Sequence, residues 1–504
     1  MSKYDTIYAV ATASGTGAIS IIRVSGKDSF DAALHIFRKN GKLLDINNIE
    51  PNKVYYGEIF DPFSDDSPMV DEVLVTFFKA PHSYTGEDSV EISCHGSEFV
   101  QQRIMELLWK FGGRLAEPGE FSKRAYINDK LDLAQCEAVA DLIASQNEAE
   151  HRIALNQLKG GFSNELKDLR SKLVDLTSLL ELELDFSEED VEFADRTKLK
   201  ELLNTILKHI GKLTDSFRMG NAIKHGVPVA IVGETNTGKS TLLNAILGEE
   251  RAIVSDIEGT TRDTIEETFT IDGIMYRFID TAGIRETSET IEKIGIERTF
   301  KKIAEADIVL GMIDGTKPLR SIYKSARDII KHVNLLKQKL LLLINKNDEI
   351  HISKYYDIND DFCWEIKDTV EKNIEAHGGY MCDEYSYSVT GQDLYDIRNL
   401  MRYKIMSAKK ADDIEDLKHD IRYYTRSPKI DGNTVLVTNI RHFEALTHAK
   451  ESLEQVKNGM DNNLSADLLA EDLRQALYHI GSITGEVTNG EVLQNIFGRF
   501  CIGK

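Results

Sequence analysis

Eight residues set the chemistry open to this chain: Gly233-Glu234-Thr235-Asn236-Thr237-Gly238-Lys239-Ser240. Two glycines at this spacing let backbone N–H groups converge on phosphate oxygens, and Lys239 adds a point charge on the terminal phosphates. The Ser240 hydroxyl is placed to ligate Mg²⁺, and Thr241 opens a helix whose dipole favours an anion. Four further stretches follow in the order a guanine-nucleotide site demands. Glu258-Gly259-Thr260-Thr261-Arg262-Asp263 supplies a threonine that can complete the Mg²⁺ shell. In Asp280-Thr281-Ala282-Gly283, Asp280 can hold a Mg²⁺-bound water and the Gly283 N–H can reach the γ-phosphate. Asn345-Lys346-Asn347-Asp348 chooses the base. The Asp348 carboxylate can accept from the guanine N1–H and N2–H edge, whereas adenine would leave a buried charge unpaired, a discrimination of ~10⁴-fold or more. Lys346 can lie along the base plane. Ser407-Ala408-Lys409 offers the Ala408 N–H to the guanine carbonyl oxygen. Each motif alone arises by chance; five in this order do not.

Ile284 follows Gly283, where many small GTPases carry a water-orienting glutamine. An aliphatic side chain cannot orient water. Hydrolysis therefore needs another polar group, and Arg285, Glu286, Glu289 and Glu292 stand nearby. The residues themselves do not choose among these.

These motifs need a sheet to hold them. The apolar run Pro228 to Val232 reads as a buried strand and Thr241 to Leu247 as the helix that follows. Met275 to Ile279 and Lys339 to Ile344 read as further strands. From about residue 226, strands and helices alternate, which predicts a parallel sheet with crossover helices. Ser388-Val389-Thr390-Gly391 is a decoy for the last motif. Ser407-Ala408-Lys409 is preferred because Ile414 to Lys418 continues as the closing helix.

Residues 1 to about 125 read as mixed α/β. Strands are expected at Thr6 to Val10, Gly17 to Val24, Val70 to Phe78 and Ser89 to Cys94, with a helix from Ser97 to Phe111. Ser83 to Asp88 reads as a polar surface loop, and Cys94-His95-Gly96 as strand-end packing rather than catalysis. From Pro118 to about Met219 the pattern is helical. Leu166, Leu169, Leu173, Leu176 and Leu180 form one apolar stripe, a core or partner face and not a cofactor box. The acidic run Asp185 to Asp190 reads as a solvated face. Helices return at Asn439 to Asn458, Ser465 to Ile480 and Asn489 to Phe497. Either the α/β block interrupts one helical domain, or two separate bundles flank it.

The chain has 504 residues, a net charge of −22 and five cysteines. Two to four domains are expected. The acidic balance argues against nonspecific nucleic-acid coating but not against a local basic patch or a basic partner. Cys94, Cys136, Cys363, Cys382 and Cys501 show no metal-ligand spacing, and a reducing cytoplasm fits. Neither a signal peptide nor a membrane-spanning run is expected.

Over nearly its whole length the chain resembles the tRNA-modifying GTPase family MnmE (TrmE). The resemblance rests on Asp5-Thr6-Ile7, Arg23-Val24-Ser25-Gly26, Tyr84-Thr85-Gly86-Glu87-Asp88, Pro118-Gly119-Glu120-Phe121 and Asn128 to Gln135. It continues through Asp256 to Asp263, Ile291 to Glu297, Ile483-Thr484-Gly485-Glu486 and the terminal Phe500-Cys501-Ile502-Gly503-Lys504. It implies an α/β and all-α multidomain chain. An N-terminal α/β folate-binding and dimerisation domain spans 1–125, a discontinuous helical domain 126–225 and 428–504, and an inserted Ras-like P-loop GTPase domain 226–427.

It further implies a formyl- or methylene-tetrahydrofolate site at Arg23, Glu87, Lys130 and Lys504, which turns the Glu87 loop from surface into ligand site. K⁺ replaces an arginine finger and is held by Asn236, Ser255, Ile257 and Thr260, supplying the same electrostatic service. Mg²⁺ falls to Ser240 and Thr261. GTP contacts extend over Asn236 to Thr241, Ser255 to Thr261 (with Asp256, Glu258 and Gly259), Asp280 to Gly283, Asn345 to Asp348 and Ser407 to Lys409. Glu292 positions water through a second water and Lys239 serves the phosphates. Cys501 lies close to the folate, either in the chemistry or as an ordinary small residue. The family is a homodimer that works with a flavin-dependent partner, MnmG. Together they place an aminomethyl or carboxymethylaminomethyl group on carbon 5 of the tRNA wobble uridine.

Two departures stand out. Thr235 replaces the usual loop proline, and about fifty residues between Asp348 and Ser407 exceed the family norm. The rival readings are a ribosome-assembly GTPase acting as a binding switch and a metabolite-sensing regulator. The acidic balance and the terminal motifs argue against the first.

Overall fold

Alternating apolar residues build the first sheet. The computed structural model describes residues 5–186, 196–249, 267–271, 274–279, 303–350, 352–377, 379–382, 386–389, 393–396, 401–424, 435–462, 464–487, 490–498 and 500–503. The chain forms two compact units, one of residues 1–145, 151–215 and 440–504, the other of 146–150 and 216–439. Among the described residues, no helix is long and apolar enough to cross a membrane.

The first unit opens with an eight-stranded sheet. Its order is Lys42–Leu43, Phe37–Lys39, Val54–Phe60, Met69–Phe78, Ser89–His95, Ile19–Ser25, Ile7–Val10 and Arg114–Leu115. Neighbours are antiparallel except the last pair. Every second residue faces the core, so Val73, Val75 and Phe77 pack with Val90, Ile92 and the helix Glu98–Lys110. The four expected strands are present with ends moved by one or two residues. Val54–Phe60 was not expected, because Gly57 breaks its run. A Cβ at Gly57 would lie 2.2 Å from the Arg38 carbonyl oxygen, so only glycine lets the neighbouring strand close.

The helical part of this unit includes Leu133–Ala144, Gly161–Phe186, the helix Arg196–His225 as far as residue 215, Ile440–Asp461, Ala466–Thr484 and Gly490–Phe497. The five-leucine stripe is fully buried, as core. The helix Leu133–Ala144 starts with a capping box. The Asp132 carboxylate accepts from Gln135 N at 2.8 Å, and the Gln135 side chain accepts from Asp132 N at 2.9 Å. Glu137 on this helix pairs with Arg441 at 3.0 Å and with His442 at 2.5 Å on another. Burial alone would raise the Glu137 pKa, but His442 and Arg441 outweigh it and hold it at about 2.

The second unit is built on a six-stranded sheet ordered Glu267–Ile271, Ile274–Phe278, Val227–Gly233, Ile308–Asp314, Lys339–Asn345 and Met401–Ile405. All pairs are parallel except the first. Both faces are covered, so its central strands read as unbroken apolar runs. Val229 and Ile231 face the helices Lys239–Glu249 and Ala411–Tyr424; Ala230 and Val232 face Leu319–Ile330 and Ile352–Ala376.

The long insert resolves into two parts. Ile352–Ala376 is a core helix that buries Phe362, Ile366, Val370 and Ile374. A separate antiparallel sheet of Gly379–Cys382, Ser386–Val389 and Asp393–Asp396 follows. The decoy's Ser388 and Val389 lie in that sheet.

Candidate functional site

The strand Val227–Gly233 lies between Ile274–Phe278 and Ile308–Asp314, where the chain order reverses, the place where ligands bind in open α/β sheets. Its loop runs from Gly233 to the helix at Lys239. Asn236 adopts a left-handed φ of 61° and Gly238 one of 102°. A Cβ at Gly238 would lie 2.3 Å from Asn345 Nδ2, so the motif's second glycine is required by its packing against that side chain. The Lys239 ammonium arches back over the loop and donates to the carbonyls of Gly233 at 2.9 Å and Glu234 at 2.6 Å. Burial lowers its pKa. Thr237 Oγ1 donates to Glu234 O at 2.9 Å and tightens the turn. Ser240 and Thr241 lie in the first turn of the helix.

Asn345 is the hub of the site and is 3% exposed. Its Nδ2 donates to Thr237 O at 2.8 Å, and its Oδ1 accepts from Ala408 N at 2.8 Å. One neutral amide thus ties the phosphate loop to both base loops. Asp348 Oδ1 accepts from Ser407 Oγ at 2.7 Å and Oδ2 from Lys409 Nζ at 3.3 Å. The Ser407 hydrogen bond in particular holds the Asp348 carboxyl below its usual range. Ser407 N donates to Asp413 in the first turn of the closing helix. Asn347 N donates to Met406 O at 3.1 Å. The structure therefore brings together Asn236 to Thr241, Asn345 to Asp348 and Ser407 to Lys409. Ser255, Asp256, Ile257, Glu258, Gly259, Thr260, Thr261, Asp280, Thr281, Ala282, Gly283, Glu292 and Lys504 lie outside the described residues.

A second constellation sits in the first unit. Arg23 pairs with Glu91 at 2.9 Å, and its guanidinium lies 5.1 Å from the Tyr84 ring centroid. Glu87 Oε2 accepts from Ser25 Oγ at 2.9 Å and from Arg124 Nη1 at 3.0 Å. Beneath it, Ser25, Thr85 and Ser89 form a buried hydroxyl cluster. The Glu87 loop is thus half core, not a plain surface loop. Its backbone leans on the Lys130 side chain beside Gly86, and Asn128 Nδ2 donates to Thr85 O at 2.7 Å. Lys130 Nζ donates to Pro81 O at 3.0 Å. Cys501 is exposed and free, and its carbonyl accepts from Gly119 N at 3.4 Å. Cys94 is buried, and burial pushes its thiol up to about 11, which fits packing and not nucleophilic chemistry.

Two residues that organise these sites had no local signal. Arg124 lies 8% exposed among Asp5, Glu87 and Glu120, partners brought to it by the fold. Asp314 ends a buried strand and accepts from Lys346 Nζ at 2.6 Å. An acid closing an apolar run was the one trace it left in the sequence.

A phosphate loop at the reversal point of a parallel sheet, tied to an Asn-Lys-x-Asp base loop, defines a P-loop GTPase fold. The family described as "GTP-binding protein TrmE N-terminus" matches residues 6–130, and "MnmE helical domain" matches residues 133–501. Curated relatives called "tRNA modification GTPase MnmE" align end to end. That of Bacteroides fragilis (strain YCH46) is 48% identical over 502 residues, 99% of each chain. That of Flavobacterium johnsoniae is 46% identical over 509 residues, 100% of each chain. The chain belongs to the MnmE family of tRNA modification GTPases.

Proposed function

We propose that this chain hydrolyses GTP and couples the cycle to modification of the tRNA wobble uridine at carbon 5, working as a homodimer with the flavin-dependent partner MnmG. The observation that carries the reading is the Asn345 hub, which fixes Thr237 and Ala408 together in a chain matched end to end by MnmE relatives. Asp348 reads the guanine edge, and Lys239 turns from the loop carbonyls to the terminal phosphates. Ser240 and Thr261 hold Mg²⁺; Asn236, Ser255, Ile257 and Thr260 hold K⁺; Glu292 orients water.

The N-terminal constellation suits a folate. Among the described residues Glu87 Oε1 has no partner, while both bonds to this carboxylate fall on Oε2, so one oxygen is held and the other offered. Arg23, Lys130 and Lys504 complete the set, with Cys501 alongside. A tetrahydrofolate there supplies a one-carbon unit. The test is wobble-nucleoside analysis of tRNA from a deletion strain, with GTP turnover of the purified protein in K⁺ and in Na⁺. Loss of the modified nucleoside and faster turnover in K⁺ are expected. An unchanged nucleoside profile overturns the tRNA assignment, and equal rates remove the potassium site.

A further inference from the structure

The turn Asp314-Gly315-Thr316-Lys317 leaves the central strand of the nucleotide sheet and sends one charge of each sign to a different loop. Asp314 Oδ2 accepts from Lys346 Nζ at 2.6 Å. Its Oδ1 accepts from Thr316 N at 2.9 Å and Thr316 Oγ1 at 2.6 Å. The carboxylate is therefore fixed before it meets the lysine. Three residues on, Lys317 Nζ donates to Glu234 Oε2 at 2.6 Å, and Ser325 Oγ donates to Glu234 Oε1 at 2.8 Å.

The two ion pairs have similar lengths and different surroundings. The Asp314 and Lys346 side chains are 10% and 25% exposed, whereas those of Lys317 and Glu234 are 43% and 54% exposed. Solvent screens the outer pair, and holding two long side chains together consumes most of its gain. The inner pair is shielded, so its attraction is stronger and a lost partner costs more. Lys346 also starts from a left-handed backbone, φ 70°, so its stem is fixed at both ends.

We propose that Asp314 is a positioning residue for the guanine base: by anchoring the Lys346 ammonium it holds the lysine's methylene stem as the surface against which the base lies. This rests on reading the site as a guanine-nucleotide site. It goes beyond that reading by assigning a role to a residue outside the nucleotide motifs. Neither group is aimed at phosphate, so GDP and GTP should lose affinity equally.

The test is titration of fluorescent GDP and GTP analogues into the full-length protein. Asp314→Asn keeps the shape and the Thr316 contacts and removes the charge. It should weaken both nucleotides by about tenfold, the scale of a charged hydrogen bond. Lys346→Met keeps the stem and drops the ammonium, and should match it. The double variant should be no worse than either single variant, as residues acting in one path are not additive. Lys317→Met, which breaks the outer pair, should stay within about twofold. Additive losses in the double variant, or single variants within about twofold of wild type, would overturn the proposal. If Asp314→Asn does not fold, Lys346→Met alone decides, since unchanged binding there leaves Asp314 nothing to position. Failure of the wild type to bind guanine nucleotides would instead sink the reading of the site.

Discussion

The two constellations are held together in opposite ways. In the nucleotide site the hub is neutral: the Asn345 amide bonds two backbone groups, the Thr237 carbonyl and the Ala408 N–H. In the N-terminal site the hub is charged. Arg124 Nη1 donates to Asp5 O and Glu87, and Nη2 to Asp5 and Glu120, while Arg114 also pairs with Asp5 and Glu120. A neutral hub leaves the field of a loop free to be set by an incoming anion. A charged hub fixes the field in advance, and it holds Glu87 for a ligand that arrives with donors. The first arrangement suits a cycle of binding, hydrolysis and release. The second suits the cofactor proposed for the first unit.

Five measurements test whether the two hubs act independently, in descending order of effect. Lys239→Ala should abolish GTP binding in a fluorescent-analogue titration while leaving the folate binding proposed for the first unit intact; unchanged GTP affinity would undo the phosphate loop. Arg124→Met leaves Glu87 without a cation and Asp5 and Glu120 with Arg114 alone, and should cost the first unit about 3–5 kcal/mol in urea unfolding while GTP affinity holds. If GTP affinity fell as far, the two hubs would not be independent.

The third concerns acid. Glu137 has a folded pKa of about 2 against an ordinary 4.5, so its contribution is complete above about pH 4.5 and drains away as pH falls toward 2. The helix signal in circular dichroism should lose thermal stability across that window, and Glu137→Gln should flatten the slope. Fourth, Asn345→Ala removes two buried hydrogen bonds and should weaken nucleotide binding by about 1–3 kcal/mol, less than the loss at its charged counterpart. Last, Lys409→Ala deletes an exposed ammonium and should change GDP affinity by less than about twofold, since its pairs with Asp348 and Glu349 are screened by solvent.

The same contrast decides what could be read in advance. The nucleotide site was legible because its parts are local: Gly238, Lys239 and Ser240 are consecutive, and Asn345 and Asp348 share a four-residue motif. Strand ends moved by a residue or two, as at Lys339–Asn345, because apolar patterning marks a run better than its boundary. The core strand Ile308–Asp314 carried no polar alternation, and the Asp314–Lys346 pair joins residues 32 apart. The N-terminal site was harder. Arg23 and Glu87 entered by resemblance, and Arg124 not at all, since its bond to Glu87 spans 37 residues and its bond to Asp5 spans 119. Val54–Phe60 was missed because Gly57, a poor strand former, interrupts its alternation, whereas in the fold it permits a close approach between strands.

Tyr126 Oη donates to Gly485 O at 2.6 Å across 359 residues of chain, and the backbone near Gly503 runs against Val10. On a ribosome adding 5–20 residues each second, Tyr126 waits about 20–70 s for that acceptor to be made. The nucleotide sheet is synthesised entirely within that interval. The strand Ile7–Val10 thus finds its sheet partners within the first 115 residues, but meets the backbone near Gly503 only after the nucleotide sheet is complete.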